Sequence, residues 1–256
     1  MKVLLSIAGY DPSSGAGVLL DIAVFHRLGF CGMGALTSVT IQNTTRVESF
    51  RTLPGRFILG QYKTLAKEVS FSGIKVGMLG SGKNIPALDL ILKKHRDIPI
   101  VVDPVFRSSS GCWLLEREAV PSYVARLRDK ISVLTPNLEE SSIILGRRVQ
   151  SLEEMKEAAL RIGDLIDAAC LVKGGHLKKK VSDVLYDGRR IQVIANPKIP
   201  KTVHGTGCFL SSSLLCFLAE GHSVAKACEL AVGQTRQAIQ RAVPSGKGGF
   251  IFPPQF

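Results

Sequence analysis

The chain has 256 residues, 45% hydrophobic and 21% charged. This composition excludes wholesale disorder and leaves room for a large core without metal or disulfide staples. Lys+Arg number 33 against 21 Asp+Glu, a formal charge of +12, which invites a polyanion-binding reading. The basic residues fall into short scattered clusters (Lys93-Lys94-His95-Arg96, Arg147-Arg148, Lys178-Lys179-Lys180, Arg189-Arg190) without interleaved aromatics. Nucleic acid is therefore not an expected partner, and the charge reads as a solvated surface suited to drawing in phosphorylated substrates.

In chain order, the apolar runs Val3–Ala8, Ala35–Ile41, Ile74–Val76, Ile98–Val102, Ser132–Leu134 and Leu171–Val172 predict strands. They are rich in Val, Ile and Leu with little alternation, as expected of strands buried on both faces. Helix-period segments lie between them at Val18–Leu28, Arg56–Val69, Ile85–Arg96, Glu118–Arg128, Leu138–Leu145 and Glu153–Ile166. Alternation of this kind predicts an α/β fold with a central, mostly parallel sheet flanked by helices. Asp183–Tyr186 and Ile191–Ile194 around Asp187-Gly188 predict a small β-hairpin addition. Two helices follow, Cys208–Glu220 and Val224–Ala242, and the Gly- and Pro-rich tail Gly246–Phe256 is expected to be loop. Without a repeat or low-complexity linker, residues 1–256 are expected to form one domain.

The N-terminal apolar run is ended by Asp11-Pro12 and is too short for a signal-peptide core. No segment approaches the ~20 apolar residues of a membrane span, so no membrane partner is expected. The cysteines Cys31, Cys112, Cys170, Cys208, Cys216 and Cys228 form no C-x-x-C pair and read as free thiols of a cytoplasmic protein.

In open parallel sheets, ligands bind at the carboxyl ends of the strands. Here every strand exit carries polar, cationic or glycine residues: Gly9–Gly17, Gln42-Asn43-Thr44, Gly77-Met78, Asp103-Pro104, Thr135-Pro136-Asn137 and Lys173-Gly174-Gly175-His176. Six such exits along one rim predict a single cleft. Two glycine-rich segments compete for phosphate. Gly77–Asn84 approaches a P-loop but ends in Asn84, where a hydroxyl is needed to hold Mg²⁺. His204-Gly205-Thr206-Gly207-Cys208 opens an apolar helix, whose first N–H groups are unpaired donors at the positive dipole end. Cys208 at that position is either a thiol with lowered pKa or a small, inert core residue. Asp103 and Glu140 suit Mg²⁺ directly or through water, Asn137 can donate to a phosphate, and Lys173 supplies a point charge for a triphosphate.

These segments, taken in order, resemble the hydroxymethylpyrimidine/phosphomethylpyrimidine kinases of thiamin biosynthesis, members of the ribokinase-like superfamily. The resemblance runs through Ile7–Gly17 with Asp21, Gln42-Asn43-Thr44, Lys75–Leu79, Val102–Val105, Thr135–Glu140, Val172–His176 and His204–Cys208. It implies a ribokinase-like fold, a homodimer, ATP with Mg²⁺, and two successive transfers, to a pyrimidine alcohol and then to its monophosphate. By the same resemblance, Asp21 and Gln42 would hydrogen-bond the pyrimidine edge, and Gly9, Ala16, Met78 and Val105 would line its pocket. Gly205, Thr206, Gly207 and Cys208 would form the anion hole, Asn137 and Lys173 would hold ATP phosphates, and Asp103 and Glu140 the Mg²⁺. Lys247, in the loop Gly246-Lys247-Gly248, would lie near the adenine. Where many relatives carry a Lys after Asp-Pro-Val, this chain has Phe106-Arg107-Ser108-Ser109. Two competing readings are a pyridoxal/pyridoxine kinase of the same superfamily and a non-enzymatic nucleotide- or nucleic-acid-binding protein. Gln42-Asn43 and Thr206 favour the pyrimidine.

Overall fold

A computed structural model describes residues 1–108, 110–175, 181–246 and 249–253. Its strands are β1 (Val3–Tyr10), β2 (Cys31–Gln42), β3 (Val47–Thr52), β4 (Phe71–Val76), β5 (Ile100–Val102), β6 (Val133–Leu134), β7 (Ala169–Val172), β8 (Val181–Tyr186), β9 (Ile191–Asn196), β10 (Val243–Pro244) and β11 (Phe250–Ile251). Its α-helices are α1 (Gly17–Arg27), α2 (Gly55–Leu65), α3 (Ile85–Leu92), α4 (Val120–Leu127), α5 (Leu138–Leu145), α6 (Leu152–Ile166), α7 (Thr206–Glu220) and α8 (Val224–Arg241).

Nine strands form one sheet in the order β3-β2-β1-β4-β5-β6-β7-β8-β9. The six inner strands β2, β1, β4, β5, β6 and β7 run parallel. β3 at one edge and the β8–β9 hairpin at the other are antiparallel additions. Successive residues of the inner strands point to opposite faces and both faces are buried. Leu5, Ile7, Val102 and Leu134 pack with α2, α3, α4 and α6, while Leu4, Val101, Val133 and Leu171 pack with α7, α8 and Phe25 of α1. The continuous apolar runs in the sequence are the signature of this double coverage.

Three departures from the sequence expectation have local causes. β2 begins at Cys31, four residues early, because Gly32 and Gly34 weaken the apolar pattern. They are where α1 crowds the sheet: a Cβ at Gly34 would lie 2.6 Å from Val18 Cγ2, and one at Gly32 3.1 Å from Ile22 Cγ2. β3 carries the polar, half-exposed sequence Val-Glu-Ser-Phe-Arg-Thr and has no apolar run to announce it; it is held by its register on β2, from Ser38↔Thr52 to Gln42↔Val47. The tail is not all loop: Phe250–Ile251 pairs with Val243–Pro244, and Phe250 bridges Val203 in front of α7.

Candidate active site

The carboxyl ends of the parallel strands open into one cavity of about 910 Å³. Gly9, Ala16, Gln42, Met78, Asp103, Val105, Asn137, Glu140, Lys173, Gly205, Thr206, Gly207 and Cys208 all line it. Lys247 lies outside the described residues. Asp21 does not line the cavity; it is fully buried behind it.

The anion cradle is set by backbone geometry. Gly205 is the N-cap of α7 at φ +81°, a left-handed conformation that favours glycine, and a Cβ there would collide with the Gly15 carbonyl oxygen. Phe209 N–H donates to Gly205 O at 2.9 Å. The amides of Thr206, Gly207 and Cys208 thus precede the first intrahelical bond and, among the described residues, are free for an anion. His204 Nε2 lies 2.9 Å from Asp11 Oδ2 and fixes the β1–α1 loop against the cradle. Burial pushes the Asp11 carboxyl upward, but bonds from His204, Ser13 and Gln42 outweigh it and hold the group below the usual range.

Beside the cradle, Lys173 Nζ lies 2.6 Å from Asp103 Oδ1. The backbone delivers both groups: Lys173 N–H donates to Pro136 O at 2.8 Å, and Asn137 bridges Lys173 in parallel register. Asn137 caps α5 in a capping box, its Oδ1 accepting from Glu140 N–H at 2.9 Å and Glu140 Oε2 accepting from Asn137 N–H at 2.7 Å. This leaves the Asn137 amide nitrogen without a partner among the described residues. Burial opposes the charge on Lys173, but Asp103 and Glu140 outweigh it and raise its pKa. Burial, partly opposed by Lys173 and reinforced by Asp103, pushes Glu140 up to about 8. Gly207 sits directly against this pair, since a Cβ there would lie 3.2 Å from both Asp103 Oδ2 and Lys173 Nζ.

Asp103 Oδ2 and Glu140 Oε1 accept no hydrogen bond among the described residues. Two hard oxygens at one cavity fit a magnesium ion that keeps most of its ligands as water and nucleotide oxygens and that would displace the proton burial favours on Glu140. No cluster of three or more His, Cys, Asp or Glu able to cage a metal occurs among the described residues.

Of the two readings open for Cys208, burial favours the thiol that is not acidified. Burial pushes it up to about 11, against the opposing pull of Lys75 and a bond from the Gly17 amide, so the free protein holds Cys208 as a thiol at neutral pH. Asp21, expected at the pyrimidine edge, has both carboxylate oxygens engaged by Lys75, Ser6 and Ser212. The Gly77–Asn84 segment offers no phosphate loop. Gly82 N–H donates to Glu116 Oε2 at 2.7 Å, and Asn84 Nδ2 is spent on the carbonyls of Leu53 and Leu79.

Sequence reasoning gave no role to Lys75, Asp183 or the Asp11–His204 pair. The available signal was a charge inside an apolar strand, as in Ile74-Lys75-Val76. Asp183 accepts from Gly174 N–H at 2.9 Å and fixes the loop after β7. Burial, only partly offset by that bond and by Lys173, pushes its carboxyl up to about 6. A raised acid favours folding below its unfolded pKa and loses that contribution as pH rises through the folded value. Asp183→Asn keeps the acceptor without the charge. Its stability relative to the parent is expected to grow by about 2 kcal/mol between pH 4 and pH 7, measured by denaturant unfolding; a pH-independent difference would contradict the assignment.

The family described as phosphomethylpyrimidine kinase matches residues 11–252. The hydroxymethylpyrimidine/phosphomethylpyrimidine kinase of Aquifex aeolicus (strain VF5) is 36% identical over 248 residues, 96% of this chain and 97% of that protein. The structure of pyridoxal kinase from Staphylococcus aureus in complex with AMP-PCP superimposes with a TM-score of 0.90 at 29% identity, covering 100% of this chain and 94% of that one. The crystal structure of phosphomethylpyrimidine kinase from Clostridium difficile 630 gives 0.81 at 31% identity, covering 93% and 100%. The fold is ribokinase-like, and the chain belongs to the phosphomethylpyrimidine kinase family of enzymes.

Proposed function

We propose that the chain transfers the terminal phosphoryl group of ATP first to the hydroxyl of 4-amino-5-hydroxymethyl-2-methylpyrimidine and then to the resulting monophosphate, in thiamin biosynthesis. The observation that carries this reading is the convergence, in one cavity, of the free amides opening α7 with the Lys173–Asp103 pair. Phosphoryl transfer is mostly positioning and neutralisation of charge. Gly9, Ala16, Met78 and Val105 supply pocket walls for a flat ring, and Gln42 supplies a polar edge. The Asn137 amide and Lys173 hold nucleotide phosphates, while the amides of Thr206, Gly207 and Cys208 receive charge on the moving group. Magnesium, held by Asp103 and Glu140 through water, would neutralise phosphate charge. Cys208 keeps its proton at neutral pH and serves as a weak donor at the cradle; a phosphate acceptor in the second transfer needs little base. Arg107 lines the same cavity, ion-paired with Glu139 and stacked 5.2 Å from the Trp113 ring centroid. It supplies a cation for the monophosphate.

All six cysteines are free, which suits a reducing cytoplasm. Val39 and Ile41, exposed by 41% and 62% on β2, support a homodimer. Among the described residues, no helix is long and apolar enough to cross a membrane. The similarity to a pyridoxal kinase makes pyridoxal the competing alcohol. Mass spectrometry of products from each alcohol with MgATP tests the reading. Sequential addition of two phosphates to the pyrimidine is expected, and phosphorylation of pyridoxal alone would overturn the substrate assignment.

A further inference from the structure

Asp21 and Lys75 form a buried ion pair, with Lys75 Nζ 2.9 and 2.8 Å from the two carboxylate oxygens and both side chains 0% exposed. Two hydroxyls complete the knot. Ser6 Oγ donates to Asp21 Oδ2 at 2.6 Å, and Ser212 Oγ donates to Asp21 Oδ1 at 2.8 Å. Four elements therefore meet at one carboxylate: α1 through Asp21, β1 through Ser6, β4 through Lys75 and α7 through Ser212. A buried ion pair is poor value as a source of stability, since well-packed apolar residues of similar volume do as well or better. Its return must lie elsewhere.

The location shows where. Ser212 is four residues beyond Cys208, so the two lie on the same face of α7, one turn apart. The knot thus grips the helix directly beneath the cradle. Lys75 is among the residues lining the cavity and Asp21 is not. A Cβ at Gly77 would lie 2.9 Å from Lys75 Nζ, which places the ammonium at the exit of β4, beside the wall assigned to the pyrimidine.

We propose that Lys75, locked by Asp21, is a positioning residue for phosphoryl transfer: the knot aims the first turns of α7 at the strand exits and keeps a permanent cation behind Cys208. It acts through α7 and touches no substrate. This inference rests on the reading of α7 as the phosphoryl cradle.

The test is Asp21→Asn combined with Lys75→Met. It removes both charges at once, leaves no unpaired buried ion, and keeps an oxygen and an amide for the serine hydroxyls, which can donate or accept. Steady-state kinetics with the pyrimidine alcohol and MgATP should show kcat reduced about tenfold or more, with KM for the alcohol within about threefold of the parent and the melting temperature close to it. Retained kcat overturns the proposal. Retained kcat with a raised KM also overturns it and returns Asp21 to substrate binding. If the double variant fails to fold, Ser212→Ala keeps both charges and cuts only the tie to α7. It should lower kcat about three- to tenfold at unchanged KM, and a folded Ser212→Ala protein with parental kcat overturns the proposal. Gly207→Ala in the same assay separates the two levels. If it leaves kcat intact, the cradle reading has failed; if it cripples kcat while the double variant does not, only the role of Lys75 has failed.

Discussion

Gly207→Ala is expected to lower kcat by about 10²-fold while the protein stays folded. Gly207 lies in the first turn of α7, where alanine is the better helix former by about 1 kcal/mol. On propensity alone the substitution stabilises. The new methyl, however, would stand 3.2 Å from Asp103 Oδ2 and from Lys173 Nζ, tight enough to push that pair and to occupy the space a phosphoryl oxygen needs beside the amides. Steady-state kinetics paired with thermal unfolding checks both signs. Parental kcat, or loss of activity traceable to unfolding, would contradict the account.

Lys173→Met is expected to lower kcat/KM for MgATP by about 10²–10³-fold, with little change in KM for the acceptor alcohol. Lys173 faces two buried carboxylates, Asp103 at 2.6 Å and Glu140, whose carboxyl it pulls down against burial. Without the ammonium, those carboxylates lose their cation and the nucleotide loses its point charge. Lys173→Arg should not restore the rate, because a planar guanidinium cannot take the place of a compact ammonium whose side chain is only 14% exposed. Varying ATP at saturating alcohol, then the reverse, separates the two constants. An equal rise in both KM values at unchanged kcat would contradict a role at the transferring group.

The parallel sheet was legible because its inner strands are apolar on both faces, as in Val3–Ala8 and Ile98–Val102. The rim was legible because each strand ends in a polar or glycine signal, and the structure gathers these into one cavity. What escaped was set by tertiary contact. β3 has no apolar pattern of its own and exists through its pairing with β2. Asp21 has the residue type of a substrate contact, yet α1 turns it inward to Lys75, 54 residues away. Cys208 sits where a helix dipole acidifies thiols, but burial is the larger effect. Sequence places a residue at an exit; whether it faces the cavity or the core depends on partners far along the chain.

On the proposed function, the amides opening α7 receive the transferred group. A crystal structure with a non-hydrolysable ATP analogue and the pyrimidine alcohol measures this directly. The terminal phosphate should lie within hydrogen-bond reach of the Thr206, Gly207 and Cys208 N–H groups, beside Lys173 and facing the alcohol. A terminal phosphate lodged against Gly82 and Lys83, with the α7 amides left to water, would contradict the account.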